Sequence, residues 1–501
     1  MVSTMTGLTG TQPTTGRIRP DLRSEHRRDT SPTLSLAIIC AGVVLASLDL
    51  FIVNVALPSM QRELGGDLSS LSWVLNAYAI VYAALLVLLG RVADRYDRRT
   101  GFLIGVAVFT AASAACAVAT SVAMLVVFRI VQAAGAALLT PTSLGLVLAT
   151  SAPERRHASV RAWTAVGGAA AALGPVVGGL LVEASWRWVF LVNVPVGIGA
   201  LVAGRRWLPS VPGHAVPRPD AAGALLVTGG VGALSLGLVK GNEWGWASGA
   251  TVAVLGLAAA ALTAFVARCL RHRTPLVDPA LFRVRAFTGS SVVAMLFSAA
   301  FGAMLLSIIL WEQNVWGWSP LKTGLSFAPG PLMVPLFSFL VTGRLVARFG
   351  AAAVTTAGSL LFATGVAWWA LAIGLQPEYA GSVLGGALLT GAGVGLTLPT
   401  YLSTAAASLP PHAFATGSAV VNMLRQVGLA VGVAILVAII GSETDPARLL
   451  RAFERGWTVI AVTAVVSGVA GGFALSGRRA AAVAEPTPMT PAPAHAGVDA
   501  D

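Results

Sequence analysis

Fourteen long apolar runs, separated by short polar connections, dominate this 501-residue chain. They fall at about 33–57, 71–90, 101–119, 122–147, 160–181, 189–208, 221–239, 249–269, 287–310, 322–343, 351–373, 380–404, 415–440 and 457–476. A helix that crosses a bilayer needs roughly 20 apolar residues, and the runs have that length. Composition closes off other readings: 56% of the residues are apolar and 11% charged, against about 25% charged in a soluble domain. So few charges cannot keep the surface of a 51.1 kDa protein in water. A soluble enzyme, a fibrous protein and a disordered chain are excluded, and the expected class is an all-α polytopic membrane protein.

Residues 1–32, polar and Arg-bearing, and 477–501, rich in Ala and Pro, are expected to be disordered cytoplasmic segments. The first apolar run is too long for a signal-peptide core and lacks a cleavage site, so it is expected to remain as span one. Cytoplasmic loops are enriched in Lys and Arg. With the N-terminus inside, the cytoplasmic segments carry 24 basic residues and the opposite loops 7, while Arg129 and Arg425 stay within spans. Both termini are therefore predicted to be cytoplasmic. Eleven of the 13 tryptophans, among them Trp186, Trp188, Trp244, Trp246, Trp316 and Trp318, fall at the predicted outer ends, as an interfacial belt would. The net charge of +12 is thus topological and implies no nucleic-acid partner. Arginine greatly outnumbers lysine and alanine abounds, a bias of GC-rich bacterial genomes, so the expected location is a bacterial plasma (inner) membrane.

The three cysteines, Cys40, Cys116 and Cys269, lie in separate apolar runs, and the six histidines lie in polar segments without ligand spacing. No metal site, phosphate-cradling loop or catalytic triad is indicated, so neither an enzyme nor a bound cofactor is expected. Nothing specifies an oligomer, and a monomer is expected.

The chain repeats itself. Gly90-Arg91-Val92-Ala93-Asp94-Arg95-Tyr96 after span two matches Gly343-Arg344-Leu345-Val346-Ala347-Arg348-Phe349 after span ten. Gly135 with Thr140-Pro141-Thr142 in span four matches Gly393 with Leu398-Pro399-Thr400 in span twelve. Both offsets equal eight spans, which two six-helix halves separated by two extra helices produce. Such repeats mark transporters whose halves rock about a central site. The expected organisation is an N-terminal bundle over 33–208, an inserted hairpin and linker over 209–270, and a C-terminal bundle over 271–476.

Gly90-Arg91-Val92-Ala93-Asp94-Arg95-Tyr96-Asp97-Arg98-Arg99 resembles the signature of the major facilitator superfamily between spans two and three. A glycine able to end the helix and a cluster of acid and arginines (Gly90, Arg91, Asp94, Arg95, Arg98) form a short cytosolic turn, which in the family latches alternate states. The family usually has glycine where this chain has Asp97. Leu48-Asp49-Leu50-Phe51-Ile52-Val53-Asn54 through Pro58, Trp186-Arg187-Trp188 through Pro195, and Gly417-Ser418-Ala419-Val420-Val421-Asn422-Met423-Leu424-Arg425-Gln426-Val427-Gly428 resemble signatures of the fourteen-helix drug:proton antiporters within it. Leu173-Gly174-Pro175-Val176-Val177-Gly178-Gly179 in span five looks like the exporters' antiporter motif, in which a Pro bend and close helix contacts at Gly174, Gly178 and Gly179 govern which side opens.

Charges inside spans are expensive, at roughly 2.5–3.5 kcal/mol each on an insertion scale, and default to functional roles. Asp49 and Arg129 lie at similar depth, about 6 Å and about 7–8 Å toward the outside from mid-span, which permits pairing. Arg129 with Gln132 and Gly135 also resembles the family's span-four signature associated with proton coupling. Glu312, at the outer end of span nine, is a further proton or cation candidate, although an interfacial acid is the commoner explanation. Asn422 and Arg425 lie within span thirteen. The resemblance implies a proton-coupled antiporter that exports small hydrophobic or amphipathic compounds by alternating access, using the proton gradient alone. Alternatives are a facilitator that moves another metabolite (sugar, amino acid or lipid) in either direction, and a membrane protein without transport.

Overall fold

The computed structural model describes residues 32–213, 220–410, 414–443 and 445–476; all but residue 32 of the two predicted terminal segments lies outside them. Twelve helices are long and apolar enough to cross a membrane, and the bent pair Ala158–Ala171 and Leu173–Ala184 makes a thirteenth span. One of the twelve, Pro320–Ala372, has 53 residues. That is about 80 Å of helix, more than twice the roughly 30 Å hydrocarbon core. It divides at Gly350, whose φ of 85° no helix accommodates. The described residues therefore hold fourteen spans, and the chain is a multi-pass membrane protein.

The spans are α1 (Pro32–Leu64), α2 (Leu68–Arg95), α3 (Arg98–Ala117), α4 (Val122–Thr150), α5 (Arg156–Ala184), α6 (Trp188–Trp207), α7 (Ala221–Trp244), α8 (Gly249–Arg271), α9 (Arg285–Val315), α10 (320–349), α11 (351–372), α12 (Tyr379–Ala407), α13 (Phe414–Ile440) and α14 (Pro446–Leu475). Several helices overrun their apolar runs because polar residues cap them. Asp67, Ser121, Ser248 and Ser319 accept from the backbone N–H three residues on, at the starts of α2, α4, α8 and α10. Each cap satisfies a donor the first helical turn cannot pair internally.

Helices α1–α6 pack on one another, as do α9–α14. Across them α2 lies along α13, and α5 along α10. Eight spans separate α2 from α10 and α5 from α13, so these two seams are related by the repeat. The α7–α8 hairpin leans on α2 and α13 through α7, and Arg268 joins its ends through Asp220 at 2.8 Å.

Glycine explains the closest packing. A Cβ on Gly135 of α4 would stand 2.6 Å from the Phe109 amide of α3, and one on Gly393 of α12 2.6 Å from the Phe362 amide of α11. The repeat read from Gly135 and Gly393 is thus a repeated helix-pair contact, of the kind small residues permit in lipid.

Two expectations change. Gly90 does not end α2, which runs on to Arg95; Gly90 packs near Pro141 of α4, and Asp97 makes the turn by capping α3. The tryptophan belt is partial: Trp188 and Trp246 are exposed, but Trp186, Trp311, Trp316, Trp369 and Trp457 are buried. Two of the buried indoles tie helix ends together, Trp186 donating to Glu63 at 2.7 Å and Trp457 to Ser307 at 3.0 Å, as buried N–H groups usually find a partner.

Candidate functional site

Asp49, Arg129 and Gln132 converge in the N-terminal bundle. Span one places Asp49 on α1, and the i, i+3 spacing of a helix puts Arg129 and Gln132 on one face of α4. Arg129 Nη1 donates to Asp49 Oδ2 at 2.5 Å and to Gln132 Oε1 at 2.6 Å. Gln132 Nε2 donates to Asp49 Oδ1 at 2.8 Å and to Ser113 Oγ of α3 at 2.7 Å. Asn193 Nδ2 of α6 reaches Asp49 Oδ1 at 3.2 Å. Arg129 Nε donates to the Val74 carbonyl of α2 at 3.1 Å, and its guanidinium lies 4.1 Å from the centre of the Tyr78 ring. Five helices thus meet on one ion pair, and none of these polar side chains is more than 1% exposed. Burying an unpaired charge is costly, and the compensation is this ring of donors and acceptors.

Three partners escaped sequence reasoning. Asn193 stood inside the Trp186–Pro195 motif, where a lone amide in an apolar run was a usable signal. Ser113 lies in a small-residue stretch indistinguishable from packing glue, and Tyr78 looks like an ordinary apolar-face aromatic. Their relevance comes from helix contacts that sequence spacing does not encode.

Arg129 of this pair lines a cavity of about 40 Å³ between the bundles. Leu50, Asn54, Asn76 and Arg129 line it from one side, and Leu305 and Leu429 from the other. It has room for water but not for a drug-sized compound, which needs roughly 300–1,000 Å³, so a ligand would require the halves to part.

The span-five motif presses on both halves. Here α5 bends by 43°, just before Pro175, which cannot donate to the preceding turn. A Cβ on Gly174 would stand 2.7 Å from Phe51 Cβ, and one on Gly178 2.9 Å from the Ile52 carbonyl, both on α1 beyond Asp49. One on Gly179 would stand 2.5 Å from the Pro320 carbonyl of α10.

Glu312 does not join this group, and its side chain is packed among helices rather than exposed at the end of α9. It is fully buried because α9 ends in a wider π-helical turn, Trp311–Val315, that aims it inward. Its Oε2 accepts from Ser326 Oγ of α10 at 2.7 Å. The neighbouring Gln313 donates to the Val55 carbonyl of α1 at 3.1 Å, joining the bundles.

The α2–α3 turn is a separate cluster. Asp97 accepts from the Thr100 amide at 3.0 Å, the Val211 amide at 2.6 Å and Ser210 Oγ at 3.0 Å, which pins the segment after α6 to the turn. Burial pushes the Asp97 carboxyl up, but those hydrogen bonds outweigh it and hold the group below its ordinary value. The Arg98 side chain covers Gly145 of α4, and Gly213 lies against the Arg95 backbone. Arg91 is half-buried on α2; the side chain of Asp94 lies outside the described residues. In α13, Asn422 Oδ1 accepts from Arg425 at 3.3 Å, away from Asp49.

Among the described residues no group of three or more His, Cys, Asp or Glu side chains is arranged to hold a metal. Comparison with known proteins places this architecture. The chain is 31% identical over 464 residues to a tetracenomycin C resistance and export protein of Streptomyces glaucescens, covering 91% of this chain and 86% of that one. It is 34% identical over 443 residues to a cephamycin export protein of Amycolatopsis lactamdurans, covering 87% and 91%. A multidrug resistance protein of Mycobacterium tuberculosis is 33% identical over 412 residues, covering 82% and 76%. The fold matches an auto-inhibited peptide transporter of the POT family with a TM-score of 0.67 at 17% identity, over 90% of this chain and 98% of that one. It also matches a nucleoside transporter with a TM-score of 0.62 at 13% identity, over 88% and 99%. Residues 39–433 fit the family model described as Major Facilitator Superfamily, and with the fourteen-span fold this establishes that the chain belongs to the major facilitator superfamily.

Proposed function

We propose that this protein is a proton-coupled antiporter that exports small hydrophobic or amphipathic compounds by alternating access. The proton gradient across a bacterial plasma (inner) membrane is its energy source, and both termini face the cytoplasm. The carrying observation is the Asp49–Arg129 pair, a buried acid and its counter-cation, with Arg129 in the wall of the cavity between the two halves.

Ionised Asp49 binds α1 to α4 and α6 through Arg129, Gln132 and Asn193. A proton on Asp49 removes its charge and weakens the hold on Arg129. The helices then favour a different packing, and the equilibrium between states shifts by the difference in proton affinity between them. Gly174 and Gly178 contact α1 two to three residues past Asp49, while Gly179 contacts α10. A displacement of α1 therefore reaches the seam between the halves through α5. One chain supplies both halves, so a monomer suffices. The apolar cavity wall suits lipophilic compounds, and the export and resistance roles of the relatives support outward transport.

The test is efflux of a fluorescent amphipathic dye from proteoliposomes under an imposed pH gradient, with proton movement followed in parallel. Dye movement that requires the gradient and carries protons the other way is expected. Movement indifferent to the gradient would sink the antiport reading.

A further inference from the structure

One helical turn along α13 from the lining of the central cavity stands a second arginine, which the proton pair does not use. Arg425 precedes Leu429 by one turn of α13, and Leu429 lines the cavity. Arg425 is half-buried in a membrane span, and among the described residues its guanidinium donates to Asn422 Oδ1 at 3.3 Å. The ion pairs among the described residues are Arg129–Asp49, Arg187–Glu63, Lys240–Asp67, Lys240–Glu243 and Arg268–Asp220, so no carboxylate among the described residues pairs with Arg425. An uncompensated cation at this depth is expensive to insert and marks a ligand path by default.

Polar groups without partners surround the same space. Asn76 is wholly buried, lines the cavity, and has no hydrogen bond at Oδ1 or Nδ2. Gln426 is 4% exposed and its Oε1 has no partner; it stands one turn before Ala430, another lining residue. Arg129 Nη2, also in the wall, is unpartnered too. Buried polar atoms are nearly always satisfied, so these are free to hydrogen-bond a group that enters the cavity. Tyr82 of α2 and Tyr401 of α12 lie within electrostatic reach of Arg425. Tyr82 stacks on Tyr78 at 5.9 Å with planes 7° apart, and Tyr78 carries Arg129 on its face. With Asp49 balancing Arg129, Arg425 leaves this region with one uncompensated positive charge.

We propose that Arg425 recognises an anionic oxygen group, a carboxylate or phenolate, on the exported compound, with Gln426 and Asn76 hydrogen-bonding polar atoms beside it. The assignment rests on reading the central cavity as the substrate path, and it narrows the substrate class to amphipathic acids. A guanidinium suits that task because its planar fork grips two oxygens at once, whereas an ammonium is a point charge.

The experiment measures equilibrium binding to the full chain in lipid nanodiscs, by calorimetry with empty discs subtracted and no gradient imposed. Three probes share one ring system: 2-naphthoate, 2-naphthamide and 2-naphthylmethylammonium, used at about pH 7.5, where the acid is ionised. The wild type is expected to bind the naphthoate about tenfold or more tighter than the amide. Arg425→Gln should erase that preference while amide binding persists, and Arg425→Lys should keep part of it. Equal binding of naphthoate and amide, or tightest binding of the ammonium probe, overturns the proposal. So does an anion preference that survives unchanged in Arg425→Gln or, should that variant fail to insert, in Arg425→Lys. A purely structural arginine would instead weaken all three probes together, which also counts against it. Intact anion preference without gradient-driven efflux would count against proton coupling alone.

Discussion

Arg129 Nη1 lies 2.5 Å from Asp49 Oδ2, across 80 residues of sequence, with both side chains buried. The contact ties α1 to α4 at the cavity wall. A pair of this kind is worth little as a stabiliser, because desolvation offsets most of the attraction, yet breaking it from one side is severe. It is suited to a switch.

Asp49→Asn keeps the shape of the side chain but removes its charge and puts an NH2 donor where one of the two accepting oxygens stood. Gradient-driven dye efflux in proteoliposomes should fall to the gradient-independent rate while the protein still inserts, at a lower thermal stability because Arg129 loses its counter-charge. Arg129→Ala should be worse, because the acid is left buried without its counter-charge. The expected loss of about 3–5 kcal/mol is read from thermal unfolding in detergent.

Glu312→Gln separates the two buried acids. Ser326 Oγ can still donate to the amide oxygen, so folding should be unaffected and efflux should remain gradient-dependent. A variant that folds but ignores the gradient would move the proton from Asp49 to Glu312.

Gly135→Leu and Gly393→Leu should each destabilise the protein, by about 1–3 kcal/mol for overpacking alone. The α3–α4 and α11–α12 contacts are repeats of one another, so comparable losses are expected. A large effect at one site and none at the other would show that only one bundle depends on this close approach.

The Asp97 carboxylate is held below its ordinary value, so what it contributes is fully present above the usual range near 3.9. That contribution is lost only as pH falls through the lower folded value. Protection of residues 208–213 from proteolysis should therefore stay constant between about pH 7 and 5. In Asp97→Ala the segment should be cleaved faster, and α3 should lose a cap worth about 0.5–2 kcal/mol.

Orientation is open to direct labelling. With the native cysteines replaced, Gly10→Cys and Thr490→Cys should resist an impermeant thiol reagent in intact cells, and Ser248→Cys should react. Labelling at either terminus would invert the assignment drawn from the arginine bias.

Hydropathy and spacing by themselves determined the fourteen spans, because each span must satisfy its backbone within one apolar helix in lipid. The repeat at Gly135 and Gly393 likewise needed no coordinates, since close helix contact demands small residues at recurring positions. Asp49 and Arg129 were legible as partners because charges in lipid are rare and both lay at one depth. Tertiary structure alone decided the rest. Ser113, Asn193 and Tyr78 join the pair through helix rotations that no periodicity specifies. Glu312 turns inward because α9 widens into a π-helical turn, which shifts its azimuth in a way a regular 3.6-residue repeat does not anticipate. Trp186 and Trp457 looked like interface anchors but are consumed by hydrogen bonds between helices, since depth in the membrane follows from sequence while the direction a side chain faces depends on its neighbours.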